Sequence, residues 1–334
     1  MFKLLKQHWA PKICSLVPLD LWHRLVSVEV LLPYYHVVSD QELAHVSGLY
    51  RFRTVRQFKA DIEFFLRFYT PVTLQDIICH LDGTGRLPKR CFLPTFDDGF
   101  REVCDVVAPI LRAQGSPAVF FLTTSVVDNR DLCWTAKKSL LIRALASLGD
   151  SPAKREGSQI LTKAGVRGAD MRSRIRGITY RQRHVLDELG PVLGCGFSAY
   201  VASAQPYLSS IQIVDLMRQG FAIGAHSSDH PRYSELSLEE QLVQTHGSVS
   251  WLSSRFQYEC EAFAFPFSEA GVSPEFFQNA FAAGRLRVCF GNGRMGRHLF
   301  PRHLTRYTME APDLGASQLL AREFCLSFLR SRPW

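Results

Sequence analysis

The chain has 334 residues, of which 46% are hydrophobic and 12% aromatic. That supplies a sizeable core for one large domain or two ordinary ones, and it excludes wholesale disorder. The net charge is +8; no nucleic-acid-binding module is readable, so the basic excess points to an anionic substrate or membrane surface rather than to nucleic acid.

The first 22 residues, "MFKLLKQHWAPKICSLVPLDLW", are basic and carry Phe2, Leu4, Leu5, Trp9 and Trp22. They lack an uninterrupted apolar stretch and a cleavage site, so no signal peptide is expected. Residues 1–27 read as a helical packing arm that could also make peripheral contact with a membrane surface. Val28–Val37 is a β-rich apolar run. A helix follows in "RTVRQFKADIEFFLRFYT", with Val55, Phe58, Ile62, Phe65 and Leu66 at helical spacing and Thr54 as N-cap. "RCFLPTF" is a short buried strand, and "EVCDVVAPILRAQG" an amphipathic helix closed by Gly115.

Further strands are expected in "PAVFFL", "FAIGA", "AFAFPF" and "LRVCFG". The helices between them begin at Ser209, at Ser237 with Glu240 as a capping box, and at Ser273 followed by Pro274. Short apolar strands alternating with helices imply parallel βαβ units, and about seven strand candidates suit a closed or nearly closed β/α barrel. The barrel is placed at 28–310. Residues 135–206 show no strand and read as a helical insertion or cap, dense in positive charge over Arg167–Arg183. Residues 311–334 read as a terminal helix on the exterior. Nothing approaches eighteen consecutive apolar residues, so no membrane span is expected.

Nine cysteines, an odd count without a CxxC pair, read as reduced thiols and point to a cytoplasmic protein.

In such barrels function gathers at the C-terminal ends of strands. His36, Asp97 with Asp98, His226, and Pro266 with Phe267 all follow strand candidates, although they are far apart in the chain. "HSSDHP" spaces His226 and His230 by one helical turn, so both imidazoles can face one point. Two histidines and a carboxylate suit Zn²⁺ or another divalent transition metal with positions left open. One acid of "TFDDGF" completes the set, and the other sits beside it, placed to take a proton from water. A dication also explains how two adjacent carboxylates both stay ionised.

"TFDDGF", "GAHSSDHP" and "FAFPF" resemble, in order and separation, the first three motifs of the NodB-like polysaccharide deacetylases, carbohydrate esterase family four. The resemblance spans about Val28–Arg306. It implies a distorted (β/α)7 barrel and removal of an N-acetyl or other acyl group from an amino sugar, usually N-acetylglucosamine. It makes Asp97 the general base and Asp98, His226 and His230 the metal ligands. It also implies that the Phe267 amide supports the developing oxyanion.

Two departures stand out. Ala264 occupies the place of a common motif Arg, and Ser268 that of a Gly; this form resembles the branch that processes poly-N-acetylglucosamine. No late acid motif is found, so His36 of "PYYHVVS" is assigned as general acid in line with that branch, with His298 and His303 as rivals. Arg302 and Arg306 are candidates for the missing Arg. Trp134, Tyr207 and Arg302 are candidate substrate contacts; Ser227 is expected to brace the histidine loop, and Asp229 to face solvent. The expected substrate is an amino-sugar glycan, a sugar nucleotide or a lipid-linked sugar. The alternative is a catalytically inactive barrel that binds carbohydrate.

Overall fold

The computed structural model describes residues 14, 16–292, 295–296, 298–311 and 313–331. Phe2, Leu4, Leu5 and Trp9 of the expected arm lie outside the described residues. The arm's described part is helix α1 (Leu19–Leu25), where Trp22 stacks on Phe324 with ring centroids 6.4 Å apart. Phe324 belongs to the terminal helix, Ala316–Ser331.

The first apolar run is broken into β1 (Val30–Leu31) and β2 (Pro33–Tyr35), and β3 (Thr70–Pro71) follows. "RCFLPTF" is likewise two strands, β4 (Cys91–Phe92) and β5 (Thr95–Phe96). The breaks let one chain segment serve two sheets. β1, β4 and β3 form a small parallel sheet, while β2 and β5 pair within the main one. The main sheet continues through β6 (Val119–Leu122), β7 (Ala222–Ala225), β8 (Ala262–Ala264) and β9 (Val288–Gly291), all parallel.

Closure comes from a segment that the sequence reading did not assign as a strand. β10 (His303–Thr305) pairs with β9, and β11 (Tyr307–Thr308) pairs with β2. Arg306 separates these two short strands, so one segment bridges both edges of the sheet and completes a ring of seven parallel segments. This is the distorted (β/α)7 barrel. The signal for it, the β-branched and aromatic alternation of "HLTRYT", is short and follows a Pro-Arg-His stretch that reads as loop.

The strands are buried on both faces, as parallel strands under helices must be. Val119 and Phe121 join Ala262, Ala264, Val288 and Phe290 in one apolar cluster, whereas the alternate residues Phe120, Leu122 and Phe263 pack among the surrounding helices with Phe58, Phe96 and Phe276. Helix Val55–Phe68 starts at Thr54 in a capping box with Gln57, and helix Leu238–Phe256 has the expected Ser237–Glu240 box.

The insertion contains five helices, Trp134–Ala144, Pro152–Lys163, Met171–Gly177, His184–Val192 and Phe197–Ala204. It has its own apolar cluster, with Leu141, Leu161, Ile175, Leu186 and Leu189 fully buried. It is therefore a packed helical unit. The nine cysteines form no disulfide. Among the described residues, no helix is long and apolar enough to cross a membrane.

Candidate metal centre and active site

The ends of β5, β7 and β8 open on one side of the barrel. Asp97 and Asp98 follow β5, His226 follows β7, and Phe267 lies three residues beyond β8. The backbone there is unusual. Asp98, Ser227, His230 and Phe267 all have positive φ, at 72°, 66°, 61° and 60°. Non-glycine residues enter this region rarely, and strain of this kind clusters at functional sites. Gly99, at φ 74°, continues the turn; a Cβ there would stand 3.0 Å from Leu122 Cδ2 in φ/ψ space that L-residues avoid.

The two histidines do meet, but not by helical periodicity. Residues 226–231 are irregular, and the positive φ of Ser227 and His230 rules out a helical turn. The Ser227 hydroxyl accepts the His230 N–H at 3.0 Å, which gives Ser227 the bracing part expected of it. The ring centroids of His226 and His230 are 5.0 Å apart.

One ligand atom each from Asp98, His226 and His230 lies within 4.8 Å of the others. Asp98 Oδ1 is 3.4 Å from His226 Nε2 and 3.1 Å from His230 Nε2. His226 Nδ1 faces the Ala264 carbonyl at 2.9 Å, so it carries the proton and Nε2 presents a lone pair toward the Asp98 oxygen. Asp98 Oδ1 and His226 Nε2 are buried with no hydrogen-bond partner. Lone pairs aimed at one point from a carboxylate and imidazoles repel unless a cation lies between them, and the donor set is that of zinc or a similar divalent ion. The residues fit the metal. Burial keeps His230 below the usual imidazole range, so it is neutral and able to ligate. The Trp134 indole N–H donates to the His230 carbonyl at 2.9 Å and fixes that loop from the insertion side.

Asp97 is fully buried and held by Arg306 through two parallel hydrogen bonds of 2.7 and 2.8 Å. Arg306 also donates to Thr95 Oγ1 at 3.1 Å and to Asn292 Oδ1. Burial by itself would raise the Asp97 carboxyl; the guanidinium foremost, together with His226 and His36, holds the acid below its ordinary range. Arg306 thus fills the place left by Ala264.

Opposite, Glu310 clamps His36 twice. It accepts the His36 backbone N–H at Oε1 and the ring Nδ1–H at Oε2, each at 2.9 Å. Burial alone would lower this imidazole, but Glu310 pushes it up to about 10. Glu310 escaped the sequence reading because it follows the unassigned strand Tyr307–Thr308, 274 residues from its partner. The Phe267 amide has no intramolecular partner among the described residues, and Asn292 Nδ2 donates to the Phe267 carbonyl at 3.3 Å.

His36, Asp98, His230, Phe267 and Trp134 line one cavity of about 660 Å³, whereas Asp97 and His226 are buried and are not among its lining residues. The substrate-contact candidates Tyr207 and Arg302 do not line it either. Tyr207 is buried behind Phe100, stacked on it at 5.5 Å, and its hydroxyl accepts the Cys133 N–H at 3.1 Å. Arg302 pairs with Asp82 at 2.7 Å; it precedes β10, so it sits at the N-terminal rim, opposite the site. His303 is fully buried in the barrel wall, its Nδ1 accepting the Leu299 N–H, and His298 bonds the His303 carbonyl; neither reaches the cavity. Asp229 is partly covered, accepting the Tyr180 hydroxyl at 2.6 Å, and is not among the clustered ligands. Residues that sequence reasoning passed over include Tyr34, Tyr50, Lys138, Arg176, Arg232 and Asn292, which reach the cavity only through folding.

Barrel and site together define a class: β/α barrels with an Asp–His–His cluster at the C-terminal ends of their strands. Residues 84–156, which include the paired acids, match the family model described as polysaccharide deacetylase. The fold is that of solved deacetylases. Similar structures are the deacetylase PplD of Streptococcus pyogenes in complex with acetate (12% identity, TM-score 0.57, covering 89% of this chain and 99% of that one) and IcaB of Ammonifex degensii (15%, 0.55, 89% and 97%). A de-N-acetylase of Aggregatibacter actinomycetemcomitans is similar too (16%, 0.52, 88% and 99%). No curated relative matches in sequence. The resemblance to NodB-like polysaccharide deacetylases therefore holds in a sequence segment and in the fold.

Proposed function

We propose that this protein is a metal-dependent N-deacylase acting on an amino-sugar glycan or glycan precursor. The observation that carries the reading is the convergence of Asp98, His226 and His230 on one point, with Asp98 Oδ1 and His226 Nε2 unpartnered there, beside a second acid held separately by Arg306.

Asp98, His226 and His230 would hold a divalent cation, which would polarise the acyl carbonyl and ease deprotonation of water. Asp97 takes the proton as water oxygen attacks the acyl carbon; Arg306 keeps the carboxylate ionised and its geometry fixed. The Phe267 N–H supports the carbonyl oxygen as it gains charge. His36, protonated because of Glu310, gives its proton to the amine nitrogen as the carbon–nitrogen bond breaks, which releases acetate and the free amine. Zn²⁺ is the preferred ion for two imidazoles and a carboxylate. Trp134, which shapes the cavity, is a wall against which a sugar ring packs.

The test is acetate release by zinc-loaded protein from N-acetylglucosamine-containing glycans, with metal content measured alongside. Asp97→Asn should reduce release by about 10²- to 10⁴-fold while bound zinc stays at one equivalent. Release within a few-fold of the unaltered protein would remove Asp97 as base. Protein that holds zinc yet releases no acetate would instead support the inactive carbohydrate-binding barrel.

A further inference from the structure

The cavity wall formed by the insertion and the loop after β7 is basic. Lys138 and Arg176 come from the insertion and Arg232 from the loop after β7; the carboxylate beside them is Glu235, while Asp98 lines the cavity at the ligand set. Glu235 is already engaged: its Oε2 accepts the Tyr180 N–H at 3.0 Å and its Oε1 lies 3.7 Å from Arg232 Nε. Lys138 is buried with its ammonium 4.3 Å from the Trp134 ring, donating to the Arg176 and Ile178 carbonyls. Arg176 and Arg232 are exposed at the mouth. Arg176 spends one donor on the Gly48 carbonyl, and Arg232 lies over the Phe267 ring, 4.4 Å from its centroid.

The Phe267 ring is in turn 4.7 Å from the His230 ring. A single aromatic ring therefore separates the Arg232 guanidinium from the ligand set. Trp134 does the same for Lys138, since its indole bonds the His230 carbonyl.

From this we infer that the cavity takes an N-acyl amino sugar bearing a phosphate or pyrophosphate on its anomeric carbon, with the anion held by Arg232 and Arg176. The inference rests on the deacylase reading. In a 2-acylamino sugar the amide and the anomeric oxygen are on adjacent ring carbons. An acyl group at Asp98, His226 and His230 thus places an anomeric phosphate about one ring's breadth away, on the side where Arg232 lies over Phe267, with Arg176 lining the same cavity. Planar forks suit phosphate oxygens, and the mouth position leaves whatever lies beyond the phosphate in solvent. Lys138 adds charge from behind the Trp134 ring and positions the Met171–Gly177 helix end that carries Arg176. A nucleoside and a polyprenyl chain present the same anion at this point.

Calorimetric titration of the full chain, metal-free so that phosphate cannot bind the ion, compares N-acetylglucosamine 1-phosphate with N-acetylglucosamine. The phosphorylated sugar should bind at least about tenfold more tightly, and added salt should erode that preference. Arg232→Gln and Arg176→Gln should each cut the affinity ratio by about tenfold. Arg232→Lys, which keeps the charge but loses the fork, should fall between, and thermal melting checks that each variant is folded. A ratio near one in the unaltered protein, or one that neither arginine variant changes, overturns the inference.

Acetate release by the zinc-loaded protein from uridine-diphosphate N-acetylglucosamine and from a polyprenyl-pyrophosphoryl N-acetylglucosamine in detergent micelles identifies the carrier. Equal kcat/KM on a neutral oligosaccharide and on both phosphorylated substrates overturns the anion subsite and leaves the deacylase standing. A retained binding preference without acetate from any substrate supports the subsite and rejects the deacylase.

Discussion

Replacing Arg306 by Met tests the electrostatic core of the site. Both Arg306 and Asp97 have side chains with no solvent exposure, so no water can take over the two hydrogen bonds of 2.7 and 2.8 Å. Breaking one side of such a buried pair leaves an uncompensated charge and costs about 3–5 kcal/mol. The sign with pH follows. In the unaltered protein Asp97 lies below its ordinary value, so its contribution is present above about pH 4, the unfolded carboxyl value, and is lost as pH falls through the folded one. In Arg306→Met the foremost group holding Asp97 down is gone; His226 and His36 still lower it, but burial, the largest influence, raises it. The protonated form becomes the stable one, and the deficit grows as pH rises above about 4 and shrinks in acid.

Urea unfolding from pH 4 to 8 measures this directly, and acetate release reads the same change, because a protonated Asp97 accepts no proton. Activity at neutral pH should fall by about 10²-fold or more. Adding Asp97→Leu should restore a large part of the stability and none of the activity, since an apolar pair of similar volume is often neutral or better. Stability within about 1 kcal/mol of the unaltered protein across the range, with activity retained, would show that Arg306 does not govern Asp97.

Glu310→Gln removes the charge that raises His36 to about 10. His36 protonation contributes stability fully below about pH 6.5, its unfolded value, and that contribution is lost as pH rises through about 10, so the variant's deficit should be largest below pH 6.5 and shrink as pH rises towards 10. If His36 returns to about 6.5, only a few per cent is protonated at pH 8; activity there should drop roughly 30-fold and largely recover by pH 6. An unmoved alkaline limb in the pH–rate profile would reject His36 as the acid. Trp134→Phe keeps the aromatic wall but deletes the donor to the His230 carbonyl. Competition with a zinc chelator should show affinity weakened by about 10- to 100-fold, as for other supports of ligand loops; unchanged affinity would reduce Trp134 to a packing residue.

What could be read from the sequence was local. The helix caps at Thr54, Ser237 and Ser273 involve partners three residues away, and each formed. The paired acids, the two histidines and Phe267 stand beside strands whose apolar runs are visible without coordinates, and a parallel barrel brings all strand C-termini to one end. Tertiary structure decided which distant groups complete the set. Arg306 reaches Asp97 across 209 residues and Glu310 reaches His36 across 274, because a short segment with a weak strand signature closes the ring. The same closure sends Arg302 to the opposite rim, while packing hides Tyr207 behind Phe100. Hydrophobic period and capping act over a few residues and leave their marks in the chain. A buried ion pair or a basic cavity wall depends on which elements pack together, and no short stretch of residues records that.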